Sequence, residues 1–318
     1  MTLKDLGADI AAEVETILSG EFSITVTNTN TVPHSDDGAI TFPNLDSKQQ
    51  ACKVIETCVV YIDIRRSTEL NLAHRPQTVA KLYSSFVRAM VRCAEQFNGH
   101  VRGIIGDRVM IMFDQNNCFS NAVYTAAAMN TVSQHIINRH FKHGEVACGI
   151  GIDFGRMLAT KTGFRRHGVQ RHSYRSLVWL GRPANVASKL TDIANKAAVT
   201  QWETKARVAY DYGIGTGWHW SDESLEQFVS KLDAKYAPSR VVHTSPFYGS
   251  FFTSPELITL RPATPPILMT KTVYDGYCGV YPNANIVRQG TLKQYAVQVP
   301  GYDGQIYGGD LVYDDMKQ

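Results

Sequence analysis

Two apolar strand-like runs in this chain each meet a carboxylate at one end, and few folds tolerate that twice. The run Cys58-Val-Val-Tyr-Ile-Asp63-Ile-Arg-Arg-Ser-Thr68 reaches Asp63, and Gly103-Ile-Ile-Gly-Asp107-Arg-Val-Met-Ile-Met-Phe113 turns on Asp107. A carboxylate at the end of an apolar strand is costly to bury unpaired. Two of them brought together repel unless cations sit between them. Hard oxygen ligands of this kind suit magnesium or manganese holding a phosphate. The pattern predicts a two-metal phosphoryl-transfer site.

The 318 residues, 44% of them hydrophobic, suffice for one large domain or two small ones. A net charge of +3 and a pI near 8.4 argue against bulk nucleic-acid binding but leave a local basic patch open. No window approaches eighteen consecutive apolar residues, so no membrane insertion is expected. The N-terminus is acidic and amphipathic, unlike a signal peptide. Cysteines 52, 58, 93, 118, 148 and 278 lack C-x-x-C or zinc-ligand spacing. They read as core thiols of a reducing cytoplasm.

Leu3, Leu6, Ile10, Val14, Ile17 and Leu18 recur at helical spacing, a short amphipathic helix that packs on the main domain or, alternatively, forms a dimer contact. Residues 27–48 read as loop or linker. A strand follows over Val54–Ile64, and Ser67 and Thr68 are placed to cap a helix carrying Val79, Leu82, Phe86, Met90 and Val91. Asn98-Gly99 turns into strand Val101–Ile105, and Gly106-Asp107 closes a hairpin with Val109–Phe113. Ala122–His140 reads as helix, Val146–Phe154 and Leu177–Leu180 as strands, and Ala184–Ala198 as helix. The alternation predicts an α+β sheet with helices on one face. Residues 199–262 break the rhythm with Trp202, Trp218 and Trp220, a helix-like Ser224–Leu232 and a strand-like Ser239–Thr244. The pattern resumes at Ile267–Tyr274, and a tail rich in Gly and Tyr suits short strands.

Three motifs in order resemble the class III nucleotidyl cyclase homology domain. They are Asp63-Ile-x-x-Ser-Thr68, Asn98-Gly99 with Gly106-Asp107-x-Val-Met, and Leu180-Gly181-Arg-Pro-Ala-Asn185-Val-Ala-Ser-Lys189-Leu190. The resemblance runs from about residue 54 to 198 and resumes at 266–280. It implies a ferredoxin-like βαββαβ core within a catalytic domain over 51–300. An N-terminal helix and linker would occupy 1–50, an insertion about 199–262, and a tail 301–318.

It also implies roles. Asp63 and Asp107 match the two metal-binding aspartates, and the Ile64 carbonyl is a further ligand for two divalent cations, Mg2+ or Mn2+. The turn through Ser67 and Thr68 leads to a helix N-terminus that receives the triphosphate. Asn185 matches the asparagine that orients the ribose. Lys189 stands where the family usually has a phosphate-binding arginine, which keeps the charge and loses the bidentate fork. The helix of Asn185 and Lys189 faces the metals of a partner chain in this family, so a homodimer with two composite sites is implied. The expected reaction is in-line attack of the ribose 3′-oxygen on the α-phosphate, with pyrophosphate leaving.

The purine-reading positions of the family are here Gly103 and Val178, and neither side chain can hydrogen-bond. Tyr61, on the same strand face as Asp63, narrows the base pocket or is simply a core aromatic. Arg102 and Arg108 donate to the O2 and O4 of uracil, or are solvated or paired with carboxylates. The combination looks like the bacterial pyrimidine cyclases of anti-phage Pycsar systems, which make cyclic UMP or cyclic CMP for a separate effector. UTP is the favoured substrate, CTP the next. A purine cyclase with a rewired pocket and a catalytically silent nucleotide sensor are the other readings. The basic run Arg165–Arg175, with Arg171 and Arg175, is expected to clasp a dimer or to contribute to triphosphate binding.

Overall fold

The computed structural model describes residues 2–162, 177–213, 215, 217–236 and 240–317. In chain order the elements are α1 (Leu3–Leu18), β1 (Ser23–Asn28), β2 (Gln49–Ile64), α2 (Ser67–Ala73), α3 (Pro76–Gln96), β3 (Gly99–Ile105), β4 (Arg108–Phe113), α4 (Cys118–Thr131), α5 (Asn138–His140), β5 (Cys148–Thr160), β6 (Val178–Leu180) and α6 (Arg182–Ile193). They continue as β7 (Val199–Tyr210), β8 (His219–Ser224), α7 (Leu225–Ser230), β9 (Leu232–Tyr236), β10 (Arg240–His243), β11 (Tyr248–Arg261), β12 (Ile267–Thr270), α8 (Lys271–Val280), α9 (Asn285–Arg288), β13 (Lys293–Tyr295) and β14 (Ile306–Gly309).

The chain forms two compact units, Met1–Lys196 with Thr264–Gln318, and Ala197–Ala263. The first is built on a sheet of order β13-β14-β12-β5-β2-β4-β3, with β1 beside β2 and β6 beside β5. Within it, β5-β2-β4-β3 are antiparallel neighbours, and the connectivity β2-α3-β3-β4-α4-β5 gives the ferredoxin-like βαββαβ pattern. The second unit is a three-stranded antiparallel sheet, β11-β7-β8, a β9-β10 hairpin and α7, around Ala206, Val208, Tyr210 and Phe228.

Side-chain alternation along β2 explains the layers. Cys58, Val60, Ile62 and Ile64 enter the main core with Leu82, Phe86 and Met90 of α3, Ala122 and Met129 of α4, and Val273 and Tyr277 of α8. Ile55 and Val59 face the other way, with Met110, Met112 and Ala187 of α6. The expectation of helices on one face is therefore corrected: α6 lies on the opposite face. Glycines make this possible. A Cβ at Gly151 would stand 2.1 Å from the Ala187 carbonyl oxygen, and one at Gly149 2.6 Å from that of Thr191. The helix backbone rests directly on the strand.

Other boundaries shift for local reasons. Residues 27–28 are not loop, because β1 pairs parallel with β2 from Ser23↔Gln49 to Asn28↔Val54. All of β1 is exposed, so it carries no alternating signature. For the same reason β2 begins at Gln49, its polar start held by β1. Ser67 and Thr68 do not cap α2: Arg66, left-handed at φ 54°, is the N-cap and has no side-chain capping bond. A π-helical stretch, Val132–Ile137, interrupts the helix expected over Ala122–His140. The amphipathic helix α1 is present, closed by a Thr2–Asp5 capping box, yet none of its residues is buried. In the second unit, Ser224 caps α7 with Gln227.

Because α6 leaves no room for a side chain at Gly151, Gly151→Ala should lower unfolding stability by about 2 kcal/mol or more. Gly38, with nothing within 4 Å of a built Cβ, is the control, and Gly38→Ala should change little. Equal melting temperatures for both variants would contradict this packing.

Candidate active site

The register Ile62↔Val109 sets β2 beside β4, so the next residues along, Asp63 and Arg108, become neighbours. The β3–β4 turn, with Gly106 at φ 63°, brings Asp107 back over the end of β2. There its Oδ2 accepts the Ile64 N–H at 3.1 Å. Partial burial, and then the hydrogen bond and charge of Asp63, push the Asp107 carboxyl up to about 6. The two aspartates thus form the like-charged pair that the sequence implies.

Arg108 answers that charge. Its Nη2 and Nε donate to Asp63 Oδ2 at 2.6 and 3.1 Å, and its Nη1 donates to Ser188 Oγ at 2.8 Å. Nη2 also donates to the Asp192 carboxylate. One guanidinium therefore joins the end of β2 to α6. Arg65 lies beside it, with Nη1 donating to the Asp192 carbonyl at 3.0 Å and its Nε and Nη2 buried without a partner. Desolvation pulls the Arg65 guanidinium below its ordinary range, while Asp63 acts the other way.

Asp63, Ile64, Asp107 and Arg108 are thus gathered at one place, with Tyr61 one step back along the same strand face. The Tyr61 hydroxyl donates to the Met110 sulfur at 2.9 Å, and its ring packs against the Val59 cluster. Gly103 pairs with Met110 across the hairpin. Arg102 does not join Arg108. A bulge between Val101 and Gly103 turns it so that it donates to the Val101 and Val32 carbonyls at 3.2 and 3.5 Å. Val178 pairs with Thr160 in β6 and is half-buried. Ser67 and Thr68 sit in the first turn of α2.

Asn185 is exposed on α6, and Lys189 one turn later donates to the Pro300 carbonyl at 2.8 Å. The run Arg165–Arg175, with His167, Arg171, His172 and Arg175, lies outside the described residues. Arg65, Ser188 and Asp192 were not singled out from sequence. Asp192 carried a signal: it stands seven residues after Asn185, and hence two turns along the same helical face. Among the described residues no group of three or more His, Cys, Asp or Glu converges on a metal position.

With this geometry in hand, the comparisons are clear about class. The family model for the adenylate and guanylate cyclase catalytic domain matches residues 49–212, and the chain belongs to that family. It carries a class III nucleotidyl cyclase domain. A uridylate cyclase of Gulbenkiania mobilis is 29% identical over 177 residues, covering 52% of this chain and 63% of the relative. A uridylate cyclase of Burkholderia cepacia is 25% identical over 216 residues, covering 64% of this chain and 89% of the relative. The chain thus spans less than two thirds of the first relative and most of the second. The crystal structure of the adenylyl cyclase CyaB from P. aeruginosa is similar at TM-score 0.46 and 15% identity, over 80% of this chain and 94% of that one.

The raised Asp107 carboxyl has a consequence for stability. Its value of about 6 stands above the ordinary 3.8, so the folded state holds a proton that the unfolded state lacks between those limits. The contribution is full below the lower value and lost as pH rises through the upper one. Asp107→Asn, which keeps an acceptor for Ile64, should stabilise the metal-free protein at pH 7.5 by about 1–2 kcal/mol, discounted for partial exposure. It should change little near pH 4. Urea unfolding at both pH values tests this, and an equal gain at both would contradict it.

Proposed function

We propose that this chain is a pyrimidine nucleotidyl cyclase that converts UTP to 3′,5′-cyclic UMP and pyrophosphate. The observation that carries the reading is the pair Asp63 and Asp107, held at adjacent strand ends, with Asp107 raised by burial and then by its neighbour. Their mutual repulsion and hard oxygens fit divalent cations, which Asp63, Asp107 and the Ile64 carbonyl would hold. When bound, Mg2+ or Mn2+ supplies Lewis acidity toward the 3′-hydroxyl and charge for the triphosphate.

The chain's own residues do the rest. Arg108 gives up Asp63 and turns its guanidinium to the nucleotide. Lys189 leaves the Pro300 carbonyl and meets phosphate charge, and Asn185 orients the ribose. Both act from a second copy of the chain, in a homodimer with composite sites. Ser67 and Thr68 line the triphosphate end. Most of the acceleration is positioning and charge stabilisation.

Three features support a pyrimidine. Gly103 and Val178 offer no side-chain donor or acceptor to a purine edge. Tyr61 occupies space on the strand face of Asp63. The relatives named above are called uridylate cyclases. In this reading Arg108 serves the acceptors of uracil once it leaves Asp63, and Arg102, which donates to the Val101 and Val32 carbonyls, is the alternative donor. The reading extends to a cytoplasmic enzyme whose cyclic nucleotide signals to a separate effector in anti-phage defence. It uses a catalytic domain over 51–300, an insertion at about 199–262 and a tail over 301–318. A second reading, a silent nucleotide sensor, is favoured by the Arg108–Asp63 ion pair, which occupies a carboxylate that catalysis needs free.

Incubation with ATP, GTP, CTP and UTP separately, with manganese and mass-spectrometric detection, tests this. Cyclic UMP alone is expected. Cyclic CMP corrects the base, a cyclic purine overturns the pocket argument, and nucleotide binding without product supports the sensor. Asp63→Ala and Asp107→Ala should each lower turnover by about 1,000-fold or more with the folded state intact. A fully active variant would remove the two-metal reading.

A further inference from the structure

One guanidinium in the first unit is shared between two carboxylates of unequal exposure. Arg108 donates from Nε and Nη2 to Asp63 Oδ2, and from the same Nη2 to the Asp192 carboxylate of α6. Its Nη1 donates to Ser188 Oγ, one turn before Asp192 on that helix. The Asp63 side chain is 17% exposed and that of Asp192 54%. The Asp63 pair is the less screened of the two, so it dominates in the metal-free chain.

A divalent cation reverses that balance. In the two-metal reading Asp63 is a ligand, and a guanidinium bonded to its Oδ2 competes with metal for the same oxygen. Releasing Asp63 removes the Nε bond of Arg108 and one of its two Nη2 bonds, while the bonds to Ser188 and Asp192 stay available. A half-buried guanidinium parted from every carboxylate would be poorly compensated. Asp192 prevents that. Its main chain is fixed independently of its side chain by Arg65, whose Nη1 donates to the Asp192 carbonyl at 3.0 Å. The Asp192 charge acts on Arg65 as well, so one carboxylate of α6 serves both arginines beside the metal aspartates.

We infer that Asp192, assisted by Ser188, is a positioning residue for the metal site, which takes over Arg108 when the cation takes Asp63. That role rests on the two-metal reading of Asp63 and Asp107. The exchange keeps Arg108 on α6 with its Nε edge free for the nucleotide. Without the Asp192 charge, Arg108 stays on Asp63 and metal has to displace it from its one remaining carboxylate.

The test uses the full chain and Mn2+ alone, without nucleotide, with free Mn2+ read by electron paramagnetic resonance. Arg108→Gln frees Asp63 and should bind Mn2+ about tenfold more tightly. Asp192→Asn should bind it about fivefold more weakly, and in the Arg108→Gln background the same change should have little effect. Ser188→Ala, which removes one bond and no charge, should weaken binding about twofold and serves as the second variant if Asp192→Asn does not fold. An unchanged Mn2+ affinity in Asp192→Asn, or in Ser188→Ala where it stands in, would overturn the inference. So would an equal loss with and without Arg108, which would mean that Asp192 acts on the metal by its own charge. If Asp63→Ala abolishes Mn2+ binding in either case, the two-metal reading stands and the role of Asp192 alone falls. If Asp63→Ala binds Mn2+ as the wild type does, both fall together.

Discussion

The first unit is organised around two carboxylates that repel each other at the end of its central strand. The register of β2 against β4 and the turn after β3 bring Asp63 and Asp107 together, and burial, then Asp63, raise the Asp107 carboxyl. The metal-free chain meets that charge with one cation of its own. Arg108 bonds Asp63, Ser188 and Asp192 at once, so the charge that pairs with Asp63 also fastens α6 to the strand. The site and the packing of α6 are one electrostatic problem. Removing a partner from such a network is more disruptive than its individual bonds suggest, because the remaining charges stay behind partly desolvated.

Much of this was legible in the sequence, and the reasons are physical. The β3–β4 hairpin follows from Asn98-Gly99 and Gly106-Asp107, where left-handed backbone is required at residues 98 and 106. The helix bearing Asn185 and Lys189 follows from its apolar spacing. What stayed hidden has no local signature. β1 is exposed along its whole length, so nothing in its residues alternates. The opposite-face position of α6 depends on Gly149 and Gly151, whose meaning appears only when a helix backbone is seen against them. Arg108 was read as a donor to the base or as a partner for a carboxylate, and it is found on Asp63; which carboxylate was not legible, because sequence shows a charge without showing its nearest neighbour. Asp192 shows in the sequence only by its helical offset from Asn185, since its partner lies 84 residues away in the chain.

The C-terminal part of the first unit bears on the same helix. Leu268, Val299 and Ile306 pack with Val186 and Leu190 of α6, and Pro300 receives Lys189. The helix is therefore held on one side by ion pairs to β2 and on the other by apolar contact with the tail. These two grips differ in kind. The ion pairs respond to charge entering the site, whereas the apolar contacts do not.

The glycine floor beneath α6 sets a limit on how such a site can diversify. Where a helix rests on side chains, trading one residue for another moves it by fractions of an ångström and reshapes whatever lies alongside. Here the helix rests on bare backbone at residues 149 and 151, and there is no side chain left to trim. The spacing between α6 and the sheet at these residues is set by peptide geometry. Changes around it must come from neighbouring side chains, such as those at positions 61 and 108, while that spacing stays constant.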